Sequence, residues 1–355
     1  MSDVMIEARN LTKTYGAVRA LENVSFQVRK GEVLGFLGPN GAGKTTAMKI
    51  LTCFVAPTEG TATVNGADVW EDSLAVRRSI GYLPESTPLY TEMMVLEYLE
   101  FVARMRGLKG ADATKALKRA VDETGIGDML ARTIRELSKG YKQRVGLAQA
   151  LVHTPPVLIL DEPMSGLDPN QAIEIRDLIT SVGKERTVVL STHNLAEVQM
   201  SCDRVLIISK GRIVADDTPD ALVATAGKAR FIVEVKKNGK SDSEVRELFA
   251  KVKGVDRVRP IELGREEFSF EIVPSGDDDL RGALFQAAVD GSLVMLGLRR
   301  EGQNLESIFR GLTTGDAPSR KEQRQTAKAE PAEKAEKAEP KSSADADSTD
   351  DKKED

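Results

Sequence analysis

The sequence predicts an α/β fold with a mostly parallel core sheet, followed by a smaller α+β unit and a charged tail. Three observations carry that prediction. First, the strand-like run Glu32-Val33-Leu34-Gly35-Phe36-Leu37 feeds a glycine-rich loop, Gly38 to Thr46, and then a helical pattern, Ala47-Met48-Lys49-Ile50-Leu51. Second, short continuous apolar runs sit between helical segments: Val157 to Leu160, Thr187 to Leu190 and Arg204 to Ile208. Such runs suit parallel strands covered on both faces. Third, after residue 225 the patterns change order to β-α-β-β-α-β.

Taken from the start, Met5 to Arg9 and Val24 to Val28 show partial alternation. That is the mark of antiparallel strands with one wet face. Residues 1–225 form the first domain. In residues 226–314, strands are expected at Phe231 to Val235, Val255 to Leu263, Phe268 to Val273 and Leu293 to Leu298, with Gly264 separating the middle pair. Helices are expected from Glu244 and from Leu280 to Val289, which completes a ferredoxin-like order. A short helix, Leu305 to Leu312, closes this unit, with Asn304 as its N-cap. Residues 315–355 contain no large apolar side chain, and from Asp316 onward nine basic residues stand against twelve acidic ones. Such a segment cannot bury enough surface to offset ordering entropy, so the tail is expected to be disordered.

The chain has 355 residues and a formal charge of −5. That length allows two domains, and the mild acidity makes no electrostatic case for nucleic acid. Cys53 and Cys202 lie far apart and have no metal-ligand spacing, which points to free thiols in a reducing compartment. No apolar stretch approaches the ~18–20 residues of a membrane span, and Met1 to Ile6 show no targeting peptide. Any membrane role is therefore expected to be peripheral.

The run Gly38-Pro39-Asn40-Gly41-Ala42-Gly43-Lys44-Thr45-Thr46 fits G-x-x-x-x-G-K-[ST], a loop that cradles phosphates. Its glycines let backbone N–H groups line a concave nest, and the following helix points its positive end at the same anion. Lys44 can reach the β- and γ-phosphates, and the Thr45 hydroxyl can ligate magnesium. The strand Val157 to Leu160 ends in Asp161 and Glu162. Side chains alternate along a strand, so the two acids are expected to face different ways and take different jobs. Asp161 is placed to hold Mg2+ through its water shell, and Glu162 to act as general base on a water.

Leu137-Ser138-Lys139-Gly140-Tyr141 resembles the signature motif of ABC-type ATPases, usually Leu-Ser-Gly-Gly-Gln; Lys139 and Tyr141 depart from it. Ser138 also reads as the N-cap of a helix. Ser165-Gly166-Leu167-Asp168-Pro169 resembles that family's D-loop and is also a good helix start. His193, in Ser191-Thr192-His193-Asn194, matches the family's switch histidine, whereas His153 matches nothing and reads as structural. Tyr15 resembles the aromatic that stacks on adenine. Glu85, in Gly81-Tyr82-Leu83-Pro84-Glu85, stands where the family usually has glutamine, and can hydrogen-bond magnesium-bound water.

The resemblance covers residues 5 to about 220, and Gly-Tyr-Leu-Pro-Glu with Leu-Ser-Lys-Gly-Tyr is most like the gliding-motility-associated and multidrug-type export ATPases. It implies a P-loop NTPase ABC cassette with a mostly parallel core sheet, an antiparallel β subdomain and an α-helical subdomain. It implies ATP and Mg2+ as ligands, and catalytic roles for Glu162, His193 and Lys44. It implies a dimer, homo- or heterodimeric, in which Ser138 and Gly140 of one subunit seal the ATP held by the other. The partner is an integral-membrane permease, docked near Glu85 and a helix from Glu92 to Arg104, with Met93, Met94 and Val95 as candidate contacts. The chain would then sit on the cytoplasmic face of the plasma (inner) membrane. Two other classes stay open: a non-transport ABC protein and a regulatory nucleotide switch using the C-terminal domain.

Overall fold

The computed structural model describes residues 3–225, 230–236, 238–263, 267–276, 278–301 and 309. Strands β1 (Val4–Tyr15) and β2 (Val18–Arg29) pair antiparallel through a tight turn at Gly16. With β4 (Glu59–Val64) and β5 (Ala67–Asp68) they form a four-stranded sheet ordered β2-β1-β4-β5. In β2, Val24, Phe26 and Val28 are buried while Ser25 and Gln27 face water, which is the alternation legible in the sequence.

The second sheet is built from β3 (Val33–Leu37), β6 (Ile80–Leu83), β7 (Val157–Asp161), β8 (Thr187–Thr192), β9 (Arg204–Ser209) and β10 (Arg212–Asp217), in the order β10-β9-β3-β8-β7-β6. All neighbours are parallel except β10, which turns back on β9 at Lys210 and Gly211. Every residue of β3, β7 and β8 is buried, so their sequences show no alternation. The helices of this part are α1 (Lys44–Leu51), α2 (Ser73–Ser79), α3 (Val95–Met105), α4 (Gly110–Thr124), α5 (Lys139–Leu151), α6 (Pro169–Gly183), α7 (Leu195–Ser201) and α8 (Pro219–Thr225). One apolar cluster joins α1 to the first two sheets through Met48, Ile50, Leu51, Phe26 and Phe36. Another joins α3, α4 and α5 through Tyr98, Leu99, Val121, Val145 and Leu147. Each fully buried side chain of this size contributes ~1.5–3 kcal/mol.

The helix expected from Glu92 begins three residues later. Residues 91–94 instead run beside residues 133–135: Ile134 N–H donates to Met93 O at 3.0 Å and Arg135 N–H to Thr91 O at 2.9 Å. Backbone already spent on that bridge cannot join the helix. Of the three expected docking residues, Val95 is fully buried in the core, Met93 packs partly against it, and Met94 is exposed. Val95 is therefore corrected from a contact residue to a core residue.

The third sheet contains β11 (Arg230–Lys236), β12 (Val255–Leu263), β13 (Glu267–Pro274) and β14 (Val294–Glu301), antiparallel throughout and ordered β12-β13-β11-β14. Helices α9 (Asp242–Ala250) and α10 (Arg281–Asp290) pack on it around Phe231, Phe249, Phe270 and Leu284. Helix α9 begins at a capping box, Ser241 with Glu244, two residues before the expected start. Pro260 lies in edge strand β12, where a missing N–H costs least. Gly264, Asn304 and the expected closing helix lie outside the described residues except for Phe309, which packs beside Leu37, Val205 and Leu222. The tail, 315–355, also lies outside them.

Candidate functional site

The site forms where the ends of β3, β7 and β8 meet the start of α1. Gly38 follows β3 and is buried; a side chain there would put its Cβ 2.5 Å from the Ile208 carbonyl oxygen. Gly43 caps α1 at φ 110°, and its Cβ would lie 2.5 Å from the Ala20 carbonyl oxygen. Both positions therefore demand glycine. Pro39, Asn40 and Gly41 are exposed, Ala42 is buried, and Thr45 and Thr46 are half-buried in the first turn of α1.

Lys44 is nearly buried and turns back over the loop. Its Nζ donates to the carbonyl oxygens of Gly38 at 2.8 Å and Pro39 at 3.3 Å, and lies 3.1 Å from Glu162 Oε1. The other Glu162 oxygen, Oε2, is 2.8 Å from His193 Nδ1. Asp161 ends β7, and its Oδ1 accepts from the Ser191 hydroxyl at 2.5 Å and from the Thr45 hydroxyl at 3.3 Å. The same Ser191 hydroxyl accepts the Glu162 N–H at 3.0 Å. The charge of Asp161, after burial itself, helps push the Tyr82 phenol of β6 up to about 12.

Strand alternation is not what separates the two acids. Glu162 lies past the end of β7 with φ 48°, a left-handed conformation that costs a non-glycine residue ~1–2 kcal/mol. That turn takes Glu162 out of the strand's alternation, and its side chain meets Lys44 and His193, while Asp161 stays with Thr45 and Ser191.

A cavity of about 430 Å3 opens over these groups, lined by Tyr15, Ala20, Asn40, Gly41, Gly43, Lys44, Thr45, Thr46, Glu85, Glu162, Ser165 and His193. The structure thus brings Tyr15, the loop, Glu85, Glu162 and His193 to one hollow. Tyr15 is half exposed, with Lys13 Nζ 5.1 Å from its ring centroid. Ser138 and Gly140 do not line the hollow. Ser138 caps α5 by accepting the Tyr141 N–H at 3.3 Å, and Gly140 is buried in the first turn of that helix. Asp168 likewise caps α6, accepting the Gln171 N–H at 2.9 Å with Pro169 at the first helical position. His153 is remote from the hollow; its Nε2 donates to the Ile80 carbonyl at 2.9 Å.

Ser191, Ala20 and Glu197 are given no role of their own in the sequence reading, and Ser165 enters it only as the start of the D-loop-like run. A hydroxyl pointing at the neighbouring acid is the signal for Ser191, but it becomes visible only once the register Asp161↔Ser191 is known. Ala20 is brought to the hollow by folding alone.

A family profile described as ABC transporter matches residues 21–165. A daunorubicin resistance ATP-binding protein of Streptomyces coeruleorubidus is 35% identical over 246 residues, covering 69% of this chain and 78% of that protein. The chain belongs to the family of ABC transporter ATP-binding proteins. A probable multidrug ABC transporter ATP-binding protein of Escherichia coli, YbhF, is 39% identical over 223 residues, or 62% of this chain. The chain spans only 38% of that relative's length. Among solved structures, a dimeric post-hydrolysis state of an ATP-binding cassette bound to ADP and Pi is 26% identical. It aligns with a TM-score of 0.55 over 60% of this chain and 98% of its own. The first two sheets and their helices are therefore an ABC cassette.

Proposed function

We propose that the chain is the ATP-binding and ATP-hydrolysing subunit of an ABC exporter, dimerising around two ATP molecules and driving a separate permease. The observation that carries this reading is the convergence of Lys44, Glu162 and His193 beside Thr45 and Asp161 on one hollow. The hollow takes the polyphosphate: the N–H groups of the loop Gly38 to Thr46 and the Lys44 ammonium hold it, and Tyr15 stacks on adenine. Phosphate oxygens draw Lys44 from Glu162, which leaves the carboxylate to accept the proton of an attacking water. His193 contacts the γ-phosphate from the far side of Glu162.

The residues present fit Mg2+. Asp161 Oδ2 is buried and has no hydrogen-bond partner, and the Thr45 hydroxyl stands at the other carboxylate oxygen. Among the described residues no group of three or more His, Cys, Asp or Glu could hold a metal alone. Mg2+ beside a nucleotide takes one or two protein ligands and completes its shell with phosphate and water. Thr45 and Asp161 would hold it, with Glu85 reaching a water of its shell, and it would neutralise phosphate charge. An acid at position 85, in place of glutamine, would add to the metal's hold.

Ser138 and Gly140 lie outside the hollow of their own chain, which supports their serving the ATP of a second copy. The Ser138-capped start of α5 offers N–H groups and a positive dipole end to that γ-phosphate. The names of the relatives, a probable multidrug ABC transporter ATP-binding protein and a daunorubicin resistance ATP-binding protein, favour export. Among the described residues no helix is long and apolar enough to cross a membrane. Exposed Met94, Leu96 and Tyr90 beside α3 offer that permease an apolar contact on the cytoplasmic face of the inner membrane. Residues 226–314 are read as an accessory domain.

Subunit complementation tests the shared site. Lys44→Ala and Ser138→Ala proteins are each expected to be nearly inactive. Mixed as subunits they rebuild one intact site per heterodimer, so ATP turnover recovers. Turnover that stays absent in the mixture, or full turnover in Ser138→Ala alone, refutes the clasp. Co-purification with a multi-span membrane protein separates a transporter from the other family roles.

A further inference from the structure

We propose that Glu197 is a positioning residue for His193, acting through the residues on either side of it; this rests on reading His193 as a γ-phosphate contact. The His193 side chain is 53% exposed, so packing does not hold its ring. Yet the ring must meet Glu162 and a phosphate at fixed distances. The neighbouring backbone supplies the constraint. Thr192, the last residue of β8, donates its hydroxyl to Glu197 Oε2. Asn194, the N-cap of α7, donates its amide Nδ2 to Glu197 Oε1 at 3.3 Å. The circuit is closed by Asn194 N–H to Thr192 Oγ1 at 3.0 Å and Ala196 N–H to Asn194 Oδ1 at 2.9 Å. One carboxylate thereby grips positions 192 and 194, and His193 is the single residue between them. Gly38 N–H donates to the Thr192 carbonyl at 3.3 Å, which ties the gripped segment to the phosphate loop.

Helix capping does not explain Glu197, because Asn194 already caps α7. The carboxylate is also costly where it stands. Burial, and then the charge of Glu162, push it above the usual range, while the Thr192 hydroxyl, His193 and the Asn194 amide oppose that. The return for that cost is the fixed geometry of the Thr192-His193-Asn194 turn.

The test is a double-mutant cycle on the full chain, with kcat and KM for ATP measured for Glu197→Ala, His193→Ala and both together. If Glu197 acts through His193, Glu197→Ala lowers kcat roughly tenfold to a hundredfold with KM within about twofold. In the His193→Ala background the same change then costs less than about twofold, because coupled residues are not additive. Glu197→Gln recovers only part of the loss, since its amide oxygen still accepts from Thr192 but its NH2 meets the Asn194 amide donor. Equal losses in both backgrounds, or wild-type kcat in Glu197→Ala, overturn the proposal while leaving the ATPase reading intact. Wild-type kcat in His193→Ala overturns both the proposal and the reading of His193 as a γ-phosphate contact. Should Glu197→Ala be insoluble, Glu197→Asp, one methylene short of Thr192, enters the same cycle.

Discussion

Glu162 is the residue on which most depends. Its two oxygens are divided between Lys44 and His193, and its backbone N–H is held by Ser191. Replacing it with glutamine keeps shape and hydrogen-bonding reach but removes the proton acceptor. Glu162→Gln is expected to bind ATP, to lose about 10²–10⁴-fold in turnover, and to accumulate as an ATP-bound dimer. Phosphate release and gel filtration with ATP measure both, and wild-type turnover would falsify the base assignment. His153 makes a different prediction. Burial, then the nearby Arg106, lower its pKa to about 4, against the partial opposition of its bond to Ile80. Between pH ~6.5 and 4 the unfolded chain takes a proton that the folded chain refuses, so stability falls as pH drops through that window and is unaffected above it. His153→Gln should flatten the slope of unfolding free energy against pH between 4 and 6.5. Denaturant titrations at stepped pH check this, and an unchanged slope contradicts it.

At the scale of elements, the phosphate loop works because a strand and a helix are joined with no room to spare. Gly43 is both the left-handed cap of α1 and the point where the loop crosses the Ala20 carbonyl. Gly43→Ala should cost more than about 2 kcal/mol, from backbone strain plus the clash. A lowered Tm together with weakened ATP binding is the expected result; a variant matching wild type in both would show that the loop can relax. The α3 start teaches the opposite lesson. Its residue pattern extends to Glu92, but the bridge to residues 133–135 claims the backbone first. Local periodicity carries no information about a partner forty residues away.

For the whole molecule, three apolar clusters of the cassette and a separate cluster of the third sheet gather the buried apolar side chains of the described residues. Residues 316–355 offer no Val, Ile, Leu, Met, Phe, Tyr, Trp or Cys to a core. Truncation after Gly315 should therefore leave solubility, Tm and ATP turnover within error of the full chain, and loss of soluble protein would contradict that.

The phosphate loop, the acids after β7, the caps Ser138 and Asp168, and the antiparallel and parallel strand patterns were all legible in the sequence. Each is set by contiguous residues whose chemistry or periodicity acts over a few positions. The tertiary structure alone decided that β8 lies beside β7 and β3, that Ser191 therefore reaches Asp161, and that Lys44 meets Glu162 across more than a hundred residues. It decided too that Glu162 separates from Asp161 by a left-handed turn. Strand order and side-chain encounters depend on how distant segments share one core, and that is a property of the packed chain.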